Sequence, residues 1–421
     1  MRPLKFIHCA DLHLGTPFKG VSELNPDIGD LLYQSTYASF DKIVALSIEE
    51  NVDCVLIAGD IYDSEDKSLK AQLQFRNSLS QLSESGISTF IAYGNHDPLD
   101  GWSATLKWPE GVFVCPGDEV AAFPLMKNDE IIAMIYGISF AKRDIKENLS
   151  LKFTKSDVVL PKIGLLHANV GTNTGHEAYS PCSIEDLAGI NMDYWALGHV
   201  HKYDILRAEN PAIVYSGCSQ SRNPREIGPK GCCLVTLESG EEPQIKFIST
   251  DLVRYVSEYL DISTCVSWDD LIEAINKKCD EITDNSDGRN IILRLSLKGK
   301  TTLHSQLWHT DSLSEMLGNI REQLVIKEPW IWLDKLSLDT ANVYDLDSIR
   351  KENYFISDVV SIFDELANPQ SKDWQELHKK FQPLFEKWQG HSYLEEVSIE
   401  TLSSLAGSAR EQILDQLLKE T

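Results

Sequence analysis

Five short polar motifs, each placed directly after an apolar run, constrain this chain more than any other feature. The apolar runs FIHCA, VLIA, TFIAY, IGLL and YWAL read as buried strands, and each motif begins where its strand ends. The motifs are Asp11-Leu12-His13, Gly59-Asp60, Gly94-Asn95-His96-Asp97, His167 and Gly198-His199-Val200-His201. One such motif could be an ordinary surface loop. Five of them predict a shared site, because ligands gather at the carboxyl ends of strands in α/β sheets.

The order of the predicted elements indicates an α/β fold. Strands at 4–9, 53–58 and 89–93 alternate with helical segments near 30–50 and 67–84, which predicts a parallel and buried sheet. Many strands with few helices between them follow, so we expect a second sheet packed on the first. These strands are predicted at 112–115, 131–138, 163–167, 194–197, 213–216, 232–237 and 244–248.

The pattern changes twice after the motif-bearing part, which predicts three domains. Residues 251–342 read as strand, helix, strand, helix and strand, a compact α+β unit, and residues 343–421 read as helices only. The first domain is therefore expected to be 1–250. One apolar stripe in the last segment is predicted to consist of Ile399, Leu402, Leu405, Ala409, Ile413 and Leu417.

Composition narrows the compartment and the partners. The nine cysteines are scattered without a C-x-x-C pair, and no signal peptide or apolar run of about 18 residues is present, so we expect a cytoplasmic protein with reduced thiols. The formal net charge of −25 argues against simple adhesion to nucleic acid. A polyanionic substrate would need a local basic strip, a partner subunit, or both.

The residue types in the five motifs suit divalent ions of the first transition row. Imidazole, carboxylate and amide oxygen suit Mn²⁺, Fe²⁺ or Zn²⁺, and the lack of thiolates argues against a structural zinc site. Seven protein ligands are too many for one catalytic ion that keeps an open position. They fit two ions that share a bridging carboxylate, and Asp60 is the natural bridge. The seven are Asp11, His13, Asp60, Asn95, His167, His199 and His201.

These motifs resemble the metallophosphoesterase (calcineurin-like) superfamily, whose pattern of D-x-H, G-D, G-N-H-[DE], H and G-H-x-H is complete and in order here over residues 4–235. The resemblance implies a two-sheet αββα sandwich and hydrolysis at phosphorus. It also implies how the ligands divide. Asp11, His13, Asp60 and His201 would bind one ion, and Asp60, Asn95, His167 and His199 would bind the other.

The same resemblance gives His96 and Asp63 catalytic roles. His96 corresponds to a general acid beside the leaving group, although a histidine there could also serve packing alone. In related phosphatases the carboxylate at the position of Asp63 orients that histidine, and such a pair would raise the pKa of His96. The alternative for Asp63 is a capping residue for the next helix.

The sequence after His201 resembles one branch of the superfamily, the SbcD/YhaO-type exonucleases. The resemblance rests on residues 215–222, on Glu226 and Lys230, and on the segment GHEAYSPCSIEDL at 175–187. It implies a DNA exonuclease or endonuclease, most simply dependent on Mn²⁺, that acts in DNA repair. It further implies that residues 251–342 are a capping domain, that the terminal helices bind an SMC-like ATPase, and that the chain could form a homodimer.

Substrate contacts are expected from basic and polar residues near the motifs. A solvated surface role, or for the loop after His167 a hairpin-packing role, is the alternative for each of them. The candidates are Lys19, Lys142, Arg143, Lys202, Arg222, Arg225, Lys230, His176 and Tyr179.

Two other functions remain open from the sequence. A phosphatase or cyclic-nucleotide phosphodiesterase on the same metal chemistry would explain the acidity, but it would not need the capping domain or the terminal helices. A non-enzymatic scaffold subunit is the second alternative. The complete set of ligands argues against it.

Overall fold

The structure is a computed structural model of the chain, and it describes most of the residues. They are 2–18, 25–63, 68–102, 104, 106–171, 177–238, 241–308, 310–344, 354–371, 373–374, 379–380 and 398–419. Lys19 and His176, expected to contact substrate, lie outside them. The chain divides into two compact units, the first being Met1–Ser257, Thr283–Leu293 and Lys327–Asp334, and the second Glu258–Ile282, Arg294–Ile326 and Lys335–Thr421.

The part of the chain before residue 250 alternates strands and helices before it becomes rich in strands. In chain order its elements are β1 Leu4–Cys9, α1 Pro26–Glu49, β2 Cys54–Ala58, α2 Leu69–Glu84, β3 Ser88–Ala92, β4 Val112–Val114, β5 Ala121–Lys127, β6 Glu130–Ile138, a 3₁₀ turn Leu149–Lys152, β7 Lys162–His167, α3 Ile184–Ala188, β8 Tyr194–Gly198, β9 Asp204–Arg207, β10 Ala212–Tyr215, β11 Gly231–Leu237 and β12 Gln244–Ser249.

Two six-stranded mixed sheets organise these elements, as the sequence predicted. Their orders are β12-β11-β1-β2-β3-β4 and β5-β6-β7-β8-β10-β9. Strands β1 to β4 are parallel neighbours, which confirms the predicted parallel opening. Strands β5 and β9 were not predicted. Strand β5 carries Pro124 and is buried at Leu125 alone, and β9 has four residues with none buried, so neither has a strong apolar pattern.

Apolar side chains fill three layers around the sheets. Phe6 and Phe90 of the first sheet share one buried cluster with Leu165 of the second, so the sheets pack face to face. Phe40 of α1 and Phe75 of α2 belong to a cluster that covers the outer face of the first sheet. A third cluster, with Leu187 and Trp195, covers the second sheet. This layering is an αββα sandwich, with the strand ends of both sheets at one edge.

Polar residues at the helix starts explain where α1 and α2 begin. The Asn25 side chain accepts the backbone N–H of Ile28, and Pro26 occupies the first turn, where its missing N–H costs nothing. The Ser68 hydroxyl accepts the N–H of Ala71 at the start of α2. The capping residue of that helix is thus Ser68, and the capping alternative for Asp63 is wrong.

The rest of the chain is α+β and then helical. Its elements are β13 Val253–Asp261, α4 Trp268–Asp284, β14 Asn290–Lys300, α5 His304–Leu307, α6 Thr310–Val325, β15 Ile331–Ala341, α7 Tyr354–Leu366 and α8 Ile399–Lys419. The strands form a sheet in the order β13-β14-β15. The domain bounds expected from the sequence stay predictions. Among the described residues, no helix has the length and apolar character to span a membrane.

The two terminal helices pack against each other through Ile356, Val360 and Leu414. The apolar stripe predicted on α8 is wrong at Leu405, which is 55% exposed, whereas Ala406 and Leu414 are buried. The buried face of α8 is therefore displaced by one residue from the predicted stripe, because that face packs against α7. Three large aromatic residues of the terminal region, Phe381, Phe385 and Trp388, lie outside the described residues.

Candidate metal centre

The five motifs meet where strands of both sheets end. Asp11 and His13 follow β1, Asp60 follows β2, and Asn95 follows β3, while His167 ends β7 and His199 follows β8. Backbone hydrogen bonds connect the first two loops. The Asp11 N–H donates to the Gly59 carbonyl at 2.9 Å, and the His13 N–H donates to the Asp60 backbone carbonyl at 3.0 Å. The backbone N–H of His96 donates to Asp60 Oδ1 at 2.9 Å, which connects the loop after β3 to the loop after β2.

One cluster of ligand atoms lies between β1 and the loop after β8. His13 Nε2 is 3.4 Å from His201 Nε2. Asp11 Oδ1 is 3.7 Å from His201 Nε2, and Asp60 Oδ2 is 3.8 Å from His13 Nε2. These are the four residues expected to share the first ion.

A second cluster lies on the other side of Asp60. His167 Nε2 is 3.5 Å from Asp60 Oδ2 and 2.9 Å from Asn95 Oδ1. The His199 ring meets the His167 ring edge-on at 5.2 Å, and its backbone N–H donates to Asp11. Asp60 belongs to both clusters, which is the position of the predicted bridge.

The donor set of both clusters fits a cation. The Nδ1 atoms of His13 and His201 face the carboxylates of Asp63 and Glu226 at 2.9 and 2.8 Å, so each ring carries its proton there and the two facing Nε2 atoms are both lone-pair acceptors. His167 Nδ1 donates to a carbonyl, so its Nε2 likewise faces Asn95 Oδ1 as an acceptor. Acceptors that face each other repel unless a cation lies between them.

Burial supports the same conclusion. Burial lowers the pKa of His13 to about 3, which keeps the ring neutral, as a metal ligand must be. Burial and the neighbouring Asp60 raise the pKa of Asp11 well above its usual range. A bound cation would relieve the repulsion between these two buried carboxylates.

The backbone at four of the ligand positions is strained. The φ angles are 51° at Asp11, 42° at His13, 53° at Asp60 and 104° at His199, all in the left-handed region that side chains with a Cβ rarely occupy. Such conformations cost roughly 1–3 kcal/mol each and cluster at functional sites. These backbone conformations direct the four side chains from their loops toward the same site.

Glycines leave room for the ligands. A Cβ on Gly94 would lie 2.8 Å from His167 Cε1 and closer still to Asp60 Oδ1. A Cβ on Gly59 would collide with the His167 ring, and one on Gly198 would collide with the Ala58 carbonyl. The glycine before a ligand is therefore a packing requirement in three of the five motifs.

Asp63 links the expected acid to the first cluster. Its Oδ1 is 2.9 Å from Nδ1 of His96 and also 2.9 Å from Nδ1 of His13. Burial lowers the pKa of His96, but the bond to Asp63 and the charge of Asp60 outweigh burial and raise it above its ordinary value. His96 Nε2 is then the nitrogen that can deliver a proton. The second bond of Asp63, to His13, was not expected.

Glu226 and Arg222 form a support that the sequence argument did not assign. Glu226 holds His201 Nδ1 at 2.8 Å, and its own pKa, raised by burial, is brought down to about 2 by that bond and by the charge of Arg222. The Arg222 guanidinium lies 3.1 Å from Asp63 and 3.8 Å from Glu226. Arg222 thus joins the carboxylates behind His13, His96 and His201.

Asp97 is a further residue whose part was missed. Its carboxylate accepts the backbone N–H groups of Gly94 at 2.8 Å and Ile61 at 2.6 Å, and so binds the loop after β3 to the loop after β2. The motif Gly-Asn-His-Asp drew attention to Asp97, but it does not indicate which backbone N–H groups the Asp97 carboxylate accepts.

An open cavity of about 700 Å³ gives access to the centre. It is lined by the ligands Asp60, Asn95, His199 and His201, by His96, and by Arg143, Glu177, Tyr179, Lys202, Arg222, Asn223, Arg225, Glu226, Ile227 and Lys230. Five of the predicted substrate contacts with basic side chains therefore surround the expected ions. Lys142 does not line the cavity.

The cavity residues differ in what they already contact. Arg222 is held by its two carboxylates, and Lys230, only 4% exposed, donates to the His201 carbonyl at 2.9 Å. Tyr179 meets the His199 ring edge-on and donates its hydroxyl to Glu177 at 2.5 Å. Arg225 is exposed. Their roles toward substrate remain predictions.

Comparison with known proteins agrees with this centre. Residues 4–203 match the Calcineurin-like phosphoesterase family, and residues 257–341 match the middle domain of Metallophosphoesterase YhaO. The chain is 33% identical over 346 residues to "Uncharacterized metallophosphoesterase YhaO" of Bacillus subtilis, which covers 82% of this chain and 84% of that protein. The chain belongs to the calcineurin-like phosphoesterase family.

Other members of the calcineurin-like phosphoesterase family are similar at lower identity. The chain is 27% identical over 316 residues to "DNA double-strand break repair protein Mre11" of Sulfurisphaera tokodaii, with 72% of this chain and 75% of that protein covered. It is 23% identical over 275 residues to one of the subunits of the nuclease SbcCD of Bacillus subtilis, with 57% and 68% covered. Family membership makes the chain a phosphoester hydrolase with divalent metal ions, which its ligand clusters can hold.

Proposed function

We propose that the chain is a two-metal DNA nuclease that hydrolyses phosphodiester bonds. The observation that carries the proposal is the pair of facing ligand clusters that share Asp60, with His96 and Asp63 beside them at one open cavity. When bound, two divalent ions, most simply Mn²⁺, supply Lewis acidity at the phosphoryl oxygens and make a water molecule acidic at neutral pH.

The seven ligand residues keep the roles expected from the resemblance. Asp11, His13, Asp60 and His201 would hold one ion, and Asp60, Asn95, His167 and His199 would hold the other. Their imidazoles are kept in one orientation by carboxylates and carbonyls behind them. Such outer contacts usually change metal affinity or activity 10- to 100-fold when they are lost.

His96 acts on the leaving group. Its Nδ1 is fixed by Asp63, whose bond raises the pKa of His96 and favours the protonated ring, so Nε2 can donate a proton to the departing sugar oxygen. Asp63 is the positioning residue for that step. Because a deoxyribose oxygen is a poor leaving group, this proton matters more for DNA than for an activated ester.

The lining of the cavity supports DNA as the substrate in spite of the net charge of −25. Arg143, Lys202 and Arg225 bring exposed basic side chains to the same opening, which is the local basic strip that a polyanion needs. Relatives named as a DNA double-strand break repair protein and as part of a nuclease support the same substrate. The proposed function includes a role in DNA repair, which the name of the Mre11 relative supports.

Purified protein with Mn²⁺ tests the proposal on linear duplex DNA, single-stranded DNA, a mononucleotide and a cyclic nucleotide. We expect nucleotide release from DNA that is lost in Asp60→Asn and His96→Ala. Hydrolysis confined to the mononucleotide or the cyclic nucleotide would overturn it in favour of a phosphatase or phosphodiesterase, the alternative that the acidity favours.

The basic strip has its own test. Arg225→Gln should weaken DNA binding and reduce the slope of log K against log salt by about 0.9, the value for one phosphate contact on duplex DNA. Arg207→Gln, a basic residue outside the cavity, serves as the matched control. An equal change in the two variants would show that the strip does not hold the DNA backbone.

The terminal helices support the proposed SMC-like ATPase partner. On α7, Tyr354 is 86% exposed, Phe355 is 64% exposed and Ile362 is 55% exposed, so one helix presents three large apolar side chains to solvent. Phe355→Asp should abolish co-purification of an SMC-like ATPase expressed with the protein. Ile326→Asp, at a position that is 83% exposed elsewhere, should retain it.

A further inference from the structure

A second cavity lies behind the loops that carry the metal ligands. It has a volume of about 450 Å³ and opens beside the last strands of the first sheet. Its lining consists of Tyr62, Gln72, Tyr93, Asp97, Pro98, Leu99, Trp102, Ala104, Leu106, Trp108, Val112 and Val114. This volume is within the range of small-molecule sites.

Two buried polar groups of the lining residues have no hydrogen-bond partner among the described residues. They are the hydroxyl of Tyr62 and the Nε2 of Gln72, and each residue is only 4% exposed. Gln72 Oε1 accepts the backbone N–H of Ala104 at 2.8 Å, so the side-chain amide is fixed and its NH₂ group is the part that lacks a partner. Buried donors are seldom left unpaired, and both belong to residues that line this cavity.

The remaining walls are aromatic. Tyr93, Trp102 and Trp108 surround the space, and Trp102 is 62% exposed at its rim. The ring of Phe75 packs edge-on against Tyr62 and against Trp108, which holds this wall in place. Aromatic faces together with an amide donor recognise a planar heteroaromatic ring whose edge carries hydrogen-bond acceptors.

The charges in this cavity exclude a phosphate as its ligand. Among the lining residues that the structure describes, no side chain is basic. The one carboxylate, of Asp97, accepts the backbone N–H groups of Gly94 and Ile61. The cavity is thus built for a neutral ring, in contrast to the basic opening above the metal ligands.

The cavity and the metal centre share their supporting loops. Tyr62 follows Asp60 by two residues, Tyr93 precedes Asn95 by two, and Asp97 binds the two loops together. We infer that this cavity binds an unstacked nucleobase of the DNA strand being cut. The inference rests on the proposed nuclease function and names the part of the substrate that the fold recognises beyond its phosphates.

The test combines a change in the protein with a change in the substrate. Tyr62→Phe removes only the unpaired hydroxyl, and Trp102→Ala removes the exposed ring. Trp308→Ala, at a tryptophan that is 56% exposed in the second unit, is the matched control. Each full-length protein with Mn²⁺ is assayed on a single-stranded oligonucleotide, on the same strand with one abasic residue, and on bis(p-nitrophenyl) phosphate.

We expect Trp102→Ala to raise KM for the normal oligonucleotide about tenfold, the size of a lost base–aromatic stack. The abasic residue should raise KM by a similar factor in the original protein and in Trp308→Ala. It should change KM little in Trp102→Ala and in Tyr62→Phe. An abasic cost that is equal in all four proteins would overturn the inference.

If no form cuts the oligonucleotide while bis(p-nitrophenyl) phosphate is hydrolysed, the proposed nuclease function fails and the cavity is judged by calorimetry with deoxyadenosine. Saturable binding that weakens about tenfold in Trp102→Ala supports a base site. No binding, or equal binding by both proteins, overturns it.

Discussion

Replacing Asp63 by asparagine tests how one carboxylate serves both the expected acid and a metal cluster. Its Oδ1 lies 2.9 Å from Nδ1 of His96 and 2.9 Å from Nδ1 of His13. Asparagine keeps the shape and one acceptor oxygen but removes the negative charge. Both imidazoles therefore lose a charge-assisted partner through a single change.

The magnitude follows from the two bonds. A hydrogen bond to a charged group contributes about 1.5–3 kcal/mol and a neutral one about 1 kcal/mol. The difference, about 0.5–2 kcal/mol for each imidazole, corresponds to a roughly 2- to 30-fold lower rate for each. The pKa of His96 also falls without the carboxylate, so the acid is lost at lower pH and the basic limb of the pH–rate profile moves down.

Two substrates separate the two bonds. The p-nitrophenolate released from bis(p-nitrophenyl) phosphate needs no proton, so kcat on that ester reports mainly the orientation of His13. DNA needs the proton from His96, so we expect Asp63→Asn to lose more activity on DNA. Metal content is measured in parallel, and Asp287→Asn, at an exposed carboxylate, is the control. Equal losses on both substrates with an unmoved basic limb would refute the reasoning.

Three further changes test the support of the centre and of the fold. Glu226→Gln removes the charge behind His201 and should lower the affinity for the first ion 10- to 100-fold, as measured by Mn²⁺ titration. Gly94→Ala places a methyl group against two ligands and should abolish activity. Its control is Gly318→Ala in helix α6, where the added methyl group has nothing within 4 Å and should raise stability by about 0.5–1 kcal/mol. Burial raises the pKa of Asp53, but bonds from two basic side chains and a backbone N–H hold it below its ordinary value, so Asp53→Asn should destabilise the protein at pH 7.

The sign of the last effect follows from linkage. A carboxyl with a lowered pKa in the folded state stabilises the fold above its unfolded pKa of about 3.9, and this contribution disappears as pH falls through the folded value. The difference between the original protein and Asp53→Asn in urea denaturation should shrink below about pH 4. A constant difference would contradict the assignment. Unchanged Mn²⁺ affinity in Glu226→Gln, or full activity in Gly94→Ala, would contradict the other two.

The sequence was informative about the metal centre because each ligand directly follows a buried strand. The strand ends of parallel neighbours meet at one edge, so Asp11, Asp60 and Asn95 could be expected together from the sequence alone. The same reasoning did not reach Glu226 or the second bond of Asp63. Both depend on how a loop returns to the centre, and His13 is 50 positions from Asp63 along the chain.

Elements without a strong apolar pattern were also beyond reach. Strand β5 is placed by its pairing with β6 although it is buried at Leu125 alone. The buried face of α8 was misjudged by one residue at Leu405, because contact with α7 sets that face and the periodicity within α8 does not. Tertiary packing decides such cases, and local periodicity does not record it.

The left-handed backbone at Asp11, His13, Asp60 and His199 has a consequence for how this family changes over time. At each of these positions glycine would fold with less conformational cost than the residue that is present. Glycine at any of these positions would relieve the backbone strain and remove a metal ligand at the same time. Retention of all four side chains in a newly read sequence is then evidence of working chemistry, since folding alone would not preserve them.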